Sequence, residues 1–341
     1  VDFEAADTVG CSVANIQFRD LTTGSFLTVS WAWDFGDGAT GTGQNPVHTY
    51  FNDGSYSVSL TVTDVNGCTA SSSKTNYIQL DHPSAAFGVS GVQACPGESF
   101  SFVDNSIGPQ PITTWRCDFG DGSPFGTRPS PTHVYTTPGN YIVSLGITDI
   151  LGCADTVQQI VPIQIYTPPT ANFSYSPNRG CEPLTVNFTN LSSAGDGNIV
   201  TLYWEFGDGS ATGALNPTHT YANPGTYTVN LVLQDVNGCR DTLQQDVEVL
   251  ELPSVDFMAV NPLGCTPQTI NFVDSTQSPY TLIGWQWDFG DGGTSTSSQP
   301  VHTYTSDGIY DVKLIVTDIN GCRDSLTKQN YIRLAHPVAD V

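Results

Sequence analysis

Residues 31–38 read Trp31-Ala32-Trp33-Asp34-Phe35-Gly36-Asp37-Gly38. Strand parity puts Trp31, Trp33 and Phe35 on one face, and the Gly-Asp-Gly that follows ends the strand in a turn. The phrase returns as WRCDFGDG at 115–122, LYWEFGDG at 202–209 and WQWDFGDG at 285–292. A longer pattern travels with it. The first copy continues NPVHTY and DGSYSVSLTVTDVNGC, the last QPVHTY and DGIYDVKLIVTDINGC. Phe3, Phe87, Phe173 and Phe257 hold one phase, at separations of 84, 86 and 84 residues. A constant period of this size marks a tandem array. We expect units at 1–82, 83–168, 169–253 and 254–336, with 337–341 opening a fifth repeat of a longer array.

Each unit reads as β. Along Ser55–Asp64, Tyr56, Val58, Leu60 and Val62 alternate with Ser57, Ser59, Thr61 and Thr63, the period of a half-buried strand. Asn52-Asp53-Gly54 before it is a turn, and Asp53–Tyr56 has the look of the tyrosine corner of immunoglobulin-like domains. About seven short strands per repeat, with no helical apolar stripe, predict an all-β chain of four two-sheet sandwiches.

Composition narrows the function. The 341 residues carry 33 Asp+Glu against 10 Lys+Arg, a formal charge of −23, although only 13% of residues are charged. So few cations cannot neutralise phosphates, which argues against nucleic acid and anionic membranes. No apolar run is long enough to span a bilayer, so no membrane insertion is expected. The opening VDFEAADTVG is neither basic nor apolar, so any export signal is expected to be already removed.

Eight of the nine cysteines fall at two repeated positions, one early and one late in each unit. The pairs Cys11 and Cys68, Cys95 and Cys153, Cys181 and Cys239, and Cys265 and Cys322 are 57, 58, 58 and 57 residues apart. Equal spacing predicts one intradomain disulfide per repeat and an oxidising, extracellular compartment. No CxxC pair supports zinc instead. Cys117 stands where Trp33, Trp204 and Trp287 stand in the other units, and its parity predicts a buried free thiol.

The WDFGDG, HTY and GxYxVxLxVTD set resembles the PKD domain, an immunoglobulin-like fold, across all four units. The cysteine pairs and the NGC, NYI and PVHTY phrasing resemble the PKD arrays of very large surface proteins of Bacteroidota. That resemblance implies type IX secretion and display as adhesins, filaments or cell-contact fibres.

Repetition also weighs on the candidate sites. Asp37, Asp121, Asp208 and Asp291 sit between glycines, where a carboxylate can accept backbone N–H bonds and lock the turn. His48, His133, His219 and His302 share one strand position, and four copies argue for packing or hydrogen bonding over catalysis. Asp64, Asp149, Asp235 and Asp318 in TDxxGC, with Asp81 near a junction, are candidate calcium ligands or simple Asx turns; no EF-hand spacing supports the metal. Trp31, Trp115 and Trp285, nearer a strand end, are candidates for glycan or protein contact. Proline at every join (Pro83, Pro168, Pro169, Pro253, Pro337) stiffens the linkers, so four domains in line predict a rod of at least ~100–130 Å. The expected function is a non-enzymatic stalk, with neighbouring repeats, a fibre-forming second copy and an unknown protein or glycan ligand as partners. A binding array or the accessory region of a secreted hydrolase are the alternatives.

Overall fold

The alternation along Ser55–Asp64 becomes one long strand of the first sandwich. The computed structural model describes residues 1–336, so the expected opening of a fifth repeat at 337–341 lies outside the described residues. The first repeat runs β1 (Phe3–Ala5), β2 (Val9–Gly10), β3 (Ala14–Asp20), β4 (Thr28–Asp34), β5 (Thr40–Gly41), β6 (Val47–Tyr50), β7 (Gly54–Asp64) and β8 (Thr69–Leu80). One sheet has the order β1-β3-β6 and the other β2-β8-β7-β4-β5. Pairing is antiparallel except where β2 lies parallel to the end of β8, with Gly10 opposite Leu80. Phe3, Phe18, Tyr50, Val58 and Leu60 have no exposed surface, and Trp33 has 1%. The inward parity read from the sequence is therefore the core.

The third and fourth repeats copy both sheet orders, and each of the four repeats encloses its own apolar core. Among the described residues there is no helix, and hence none long and apolar enough to cross a membrane. The chain divides into two compact units, one ending at Thr167 and one starting at Pro168, with two sandwiches in each.

The repeats differ at one edge. In the first and fourth, the last strand bulges at a left-handed Asn76 (φ 51°) or Asn330 (φ 52°). There the Tyr77 and Tyr331 hydroxyls accept from Ala5 N (3.0 Å) and Ala259 N (2.9 Å). The second repeat has Gln159-Ile160-Val161-Pro162 instead, and its last strand is split into Ala154–Gln158 and Ile163–Ile165. A proline cannot donate to the ladder, so pairing breaks there.

The FGDG phrase has a steric cause. Gly36 has φ 83°, and a Cβ on it would collide with the Ser57 carbonyl oxygen; Gly120, Gly207 and Gly290 meet Ile142, Thr228 and Asp311 in the same way. The second glycine, Gly38, also has positive φ but open space around it. The first glycine answers to close approach and the second to backbone conformation alone.

The expected disulfides require correction. Cys11 is bonded to Cys153 and Cys181 to Cys322, at sequence separations of 142 and 141. Cys95 and Cys239 are disulfide-bonded too, while Cys68 and Cys265 are free and exposed. An intradomain bond is geometrically excluded in the first repeat. Cys68 immediately precedes β8, whereas Cys11 follows Gly10, the partner of Leu80 at the far end of the same strand. A twelve-residue strand is about 35–40 Å long, and a disulfide needs Cα atoms within about 7 Å. In the observed bond the Cα atoms of Cys11 and Cys153 are 5.2 Å apart. The early cysteine of one repeat thus reaches the late cysteine of the next.

Candidate functional site: the joint between repeats

The joint is assembled from the two ends of a hairpin. β2 places Cys11 beside the exit end of β8. In the second repeat the turn from Asp149 to Cys153 is tied by Gly152 N to Asp149 O (3.1 Å) and Asp149 N to Cys153 O (2.9 Å). The Asp149 carboxylate Oδ1 accepts from Leu151 N and Cys153 N, both at 2.9 Å. Asp318 does the same with Asn320 N (2.8 Å) and Cys322 N (2.9 Å). Asp235 repeats it with Cys239 N (2.8 Å), and Asp64 with Cys68 N (3.0 Å). These four aspartates orient the cysteine four residues later.

Burial follows the bond. Asp149 and Cys153 are 3% and 2% exposed, and Asp318 and Cys322 have no exposed surface, whereas Asp64 is half-buried and Cys68 exposed. Leu151 lines one cleft with Val9, Gly10, Leu80 and Asp81, so the turn of the second repeat sits against the exit end of the first. The second carboxylate oxygen of Asp149, Asp235 and Asp318 is buried without a hydrogen-bond partner. A calcium ion takes six to eight oxygens. Among the described residues, the only three titratable side chains that converge closely enough for a cation are Asp53, Asp81 and His82, all exposed. The TDxxGC aspartates are not among them; what the geometry gives them is the Asx turn.

Another feature of the joint escaped the sequence. His82 pairs with Asp53, holding the chain as it leaves β8 against the turn before β7. His336 and Asp307 repeat the contact at 2.8 Å. Only the HP dipeptide, shared by the first and fourth repeats, hinted at it.

The glycine-flanked aspartates do lock their turns: Asp37 Oδ1 accepts from Ala39 N at 3.0 Å. The other oxygen, Oδ2, is 2.7 Å from His48 Nε2, and Asp121–His133, Asp208–His219 and Asp291–His302 repeat that distance. Burial works to raise the Asp37 pKa, but the hydrogen bonds from His48 and Ala39 outweigh it and hold the carboxyl below its ordinary value. Each imidazole stacks on the phenylalanine of its FGDG phrase, at 4.1 Å for His48 on Phe35 and 4.2 Å for His302 on Phe289. Tyr50 meets the ring edge-on and donates its hydroxyl to Phe35 O at 2.9 Å. These hydrogen bonds all stay within one repeat.

The tyrosine corner is present in all four repeats. Tyr56, Tyr141, Tyr227 and Tyr310 donate to the carbonyls of Asn52, Thr137, Asn223 and Ser306 at 2.7–2.9 Å. Trp31, Trp115 and Trp285 are half-buried, and each indole N–H donates to Asp20, Asp104 or Asp274 at 2.7 Å. Cys117 is 1% exposed and unbonded, as its parity predicted. Burial and the nearby Asp118 push its thiol up to about 11.

The family model described as PKD domain matches residues 2–80, 81–165, 166–249 and 251–334. The pre-pro-metalloprotease PrtV of Vibrio cholerae serotype O1 is 30% identical over 146 residues, covering 43% of this chain and 16% of that protein. Human polycystin-1 is 25% identical over 329 residues, covering 86% of this chain and 7% of that protein. The microbial collagenase of Vibrio alginolyticus is 55% identical over 50 residues, covering 15% of this chain and 6% of that protein. The chain therefore spans no more than about a sixth of these relatives. Among solved structures, the PKD1 domain of the Vibrio cholerae metalloprotease PrtV is 38% identical, with a TM-score of 0.23 over 24% of this chain and 98% of that one. With the motif, the sandwich and the family model agreeing along its length, the chain belongs to the PKD domain family and consists of four such domains in tandem.

Proposed function

We propose that these four domains are a non-enzymatic, load-bearing segment of an extracellular protein, displayed as a stalk or fibre that mediates contact between cells or with a surface. The observation that carries this reading is the bond that crosses from one repeat to the next. Tension entering at Val1 reaches Cys11, passes through the disulfide to Cys153 and leaves without loading residues 12–152; Cys181–Cys322 gives the same bypass. Disulfides are kept in oxidising compartments, which supports an extracellular location. The phrasing shared with Bacteroidota arrays supports type IX export, and an unidentified protein or glycan is the surface ligand.

Single-molecule stretching tests it. Each 141- or 142-residue loop holds back about 500 Å of contour length at ~3.5 Å per residue. The oxidised chain should unfold without releasing those lengths, and reductant should release them. Equal extension with and without reductant would sink the load-bearing reading.

A second reading rests on the names of the relatives, which include a metalloprotease and a collagenase. Here the array is the accessory region of a secreted hydrolase. A catalytic domain in the full open reading frame would favour it; a type IX sorting domain at the C-terminus would favour the stalk.

A further inference from the structure

Three hydrogen bonds cap the outer edge of the first strand in two of the repeats. In the first repeat Asp2 Oδ1 accepts from Phe3 N at 2.8 Å, Lys74 Nζ donates to Phe3 O, and Ala5 N donates to the Tyr77 hydroxyl. In the fourth, Asp256, Lys328 and Tyr331 do the same for Phe257 and Ala259, at 2.8, 2.5 and 2.9 Å. The lysine also lies over the phenylalanine ring, which the tyrosine meets edge-on. Phe3 and Phe257 are left with no exposed surface. The third repeat reaches the same end differently: Gln245 Nε2 donates to Phe173 O at 3.3 Å, and Tyr175 packs on Phe173, which is 3% exposed.

The second repeat keeps the strand and lacks the caps. Phe87–Val89 pairs with Phe102–Asp104 in the register that joins Phe3–Ala5 to Phe18–Asp20. Phe87 and Val89 therefore turn their outer N–H and C=O groups to the same edge as Phe3 and Ala5. Gln159 N bonds Val143 O and Ile163 pairs with Tyr141, as Lys74 and Ile78 pair with Val58 and Tyr56. That register sets Ala86, Gln159 and Pro162 where Asp2, Lys74 and Tyr77 stand. Alanine and proline have no polar side-chain atom, and the Gln159 carbonyl oxygen is buried without a hydrogen-bond partner. Phe87 is only half-buried, in an apolar cleft that it lines with Val89, Val157, Ile160 and Val161. Ile160, in the place of Thr75, is 95% exposed.

We propose that this uncapped edge and its cleft bind an extended segment of a partner protein that carries a tyrosine and a basic residue. The segment lies beside Phe87–Val89 as an added strand, and its main chain meets the outward N–H and C=O groups. Its tyrosine fills the cleft over Phe87, and its lysine or arginine reaches the Phe87 carbonyl. The partner thus supplies from outside the ring and the cation that Tyr77 and Lys74 supply from within. The formal charge of −23 on this chain favours a basic partner. In the first and fourth repeats the caps close the same edge, as side chains do on edge strands that must not pair. The site lies within one repeat and stands apart from load-bearing, so it can hold or fail whichever way the stretching experiment comes out.

The probe is a fluorescein-labelled peptide copying residues 72–79 of this chain, SSKTNYIQ, added to the full chain with its disulfides intact. Fluorescence anisotropy should rise and saturate. A control peptide with Lys74→Gln and Tyr77→Pro, the residues of the second repeat itself, should bind about tenfold more weakly or worse. Hydrogen exchange on the unmodified chain should slow at 87–89 when the probe is bound, and not at 3–5 or 257–259. Restoring the caps with A86D, Q159K, V161N and P162Y together should abolish binding, with an unchanged melting curve certifying the fold; should that variant not fold, the exchange map of the unmodified chain decides. No saturation, equal binding of the two peptides, or protection away from 87–89 would overturn the proposal. So would a dimer of the unliganded chain that the restored caps dissolve, because the occupant would then be a second copy.

Discussion

The carboxylate of Asp37 lies 2.7 Å from His48 Nε2, and the imidazole it holds lies flat on Phe35, 4.1 Å between centroids. One aspartate thus fixes its own turn and orients a ring that seals the core. Removing the ring breaks a charge-assisted hydrogen bond and a stack. His48→Ala should cost about 2–3 kcal/mol in the first repeat. Urea titration of the variant against the parent checks it; a change within about 0.5 kcal/mol, as at ordinary surface sites, would make the pair ornamental.

Acid should act on all four turns together. Asp37, Asp121, Asp208 and Asp291 are each held below the ordinary 3.8 despite burial, which works to raise them, by hydrogen bonds from turn groups and histidine. A depressed folded pKa contributes stability that is complete above the unfolded value and lost as pH falls through the folded one. Denaturant midpoints should therefore show no loss from these groups above about pH 5 and decline below about 3.8. A midpoint that stays level through this acid range would contradict the assignment.

The two glycines of the last FGDG phrase should respond differently to alanine. At Gly290 a Cβ meets the Asp311 carbonyl oxygen, whereas at Gly292 it meets nothing. Gly292→Ala carries only the left-handed backbone penalty, about 1–2 kcal/mol. Gly290→Ala adds displacement of a strand and should cost at least ~3 kcal/mol. Thermal melts of the pair decide it, and equal costs would remove the steric account.

Thiol titration should sort the free cysteines. Cys68 and Cys265 are exposed, while Cys117 is buried with its pKa pushed up to about 11. An aromatic disulfide reagent at pH near 8 should modify Cys68 and Cys265 promptly and Cys117 only after denaturant is added, because the thiolate is the reacting form. Prompt labelling of Cys117 would place it at the surface.

Much of each sandwich was legible from one line of text. Alternation along Ser55–Asp64 marked β7 and its inner face, and parity placed both Trp33 and Cys117 in the core. The joint was not legible. A periodic sequence presents the same early and late cysteines in every repeat, so equal spacing fits a bond within a repeat and one across to the next equally well. Only the strand length between Cys68 and Leu80 separates the two cases. The aspartate and histidine of the turn were each singled out, but their meeting depends on how the intervening loop folds back. The His82–Asp53 clamp was hidden for a similar reason, because it joins the end of one strand to a turn before another.

The crossing bonds also impose an order on maturation. Cys11 must bypass Cys68, Cys95 and Cys117 before it reaches Cys153. Its partner is presented only once the second sandwich has brought its turn against the first. As the chain emerges from its N-terminus, the second domain completes the bond of the first, and the fourth that of the third. Covalent closure therefore follows folding one repeat behind, and an oxidant that acts too soon would trap a neighbouring thiol in its place.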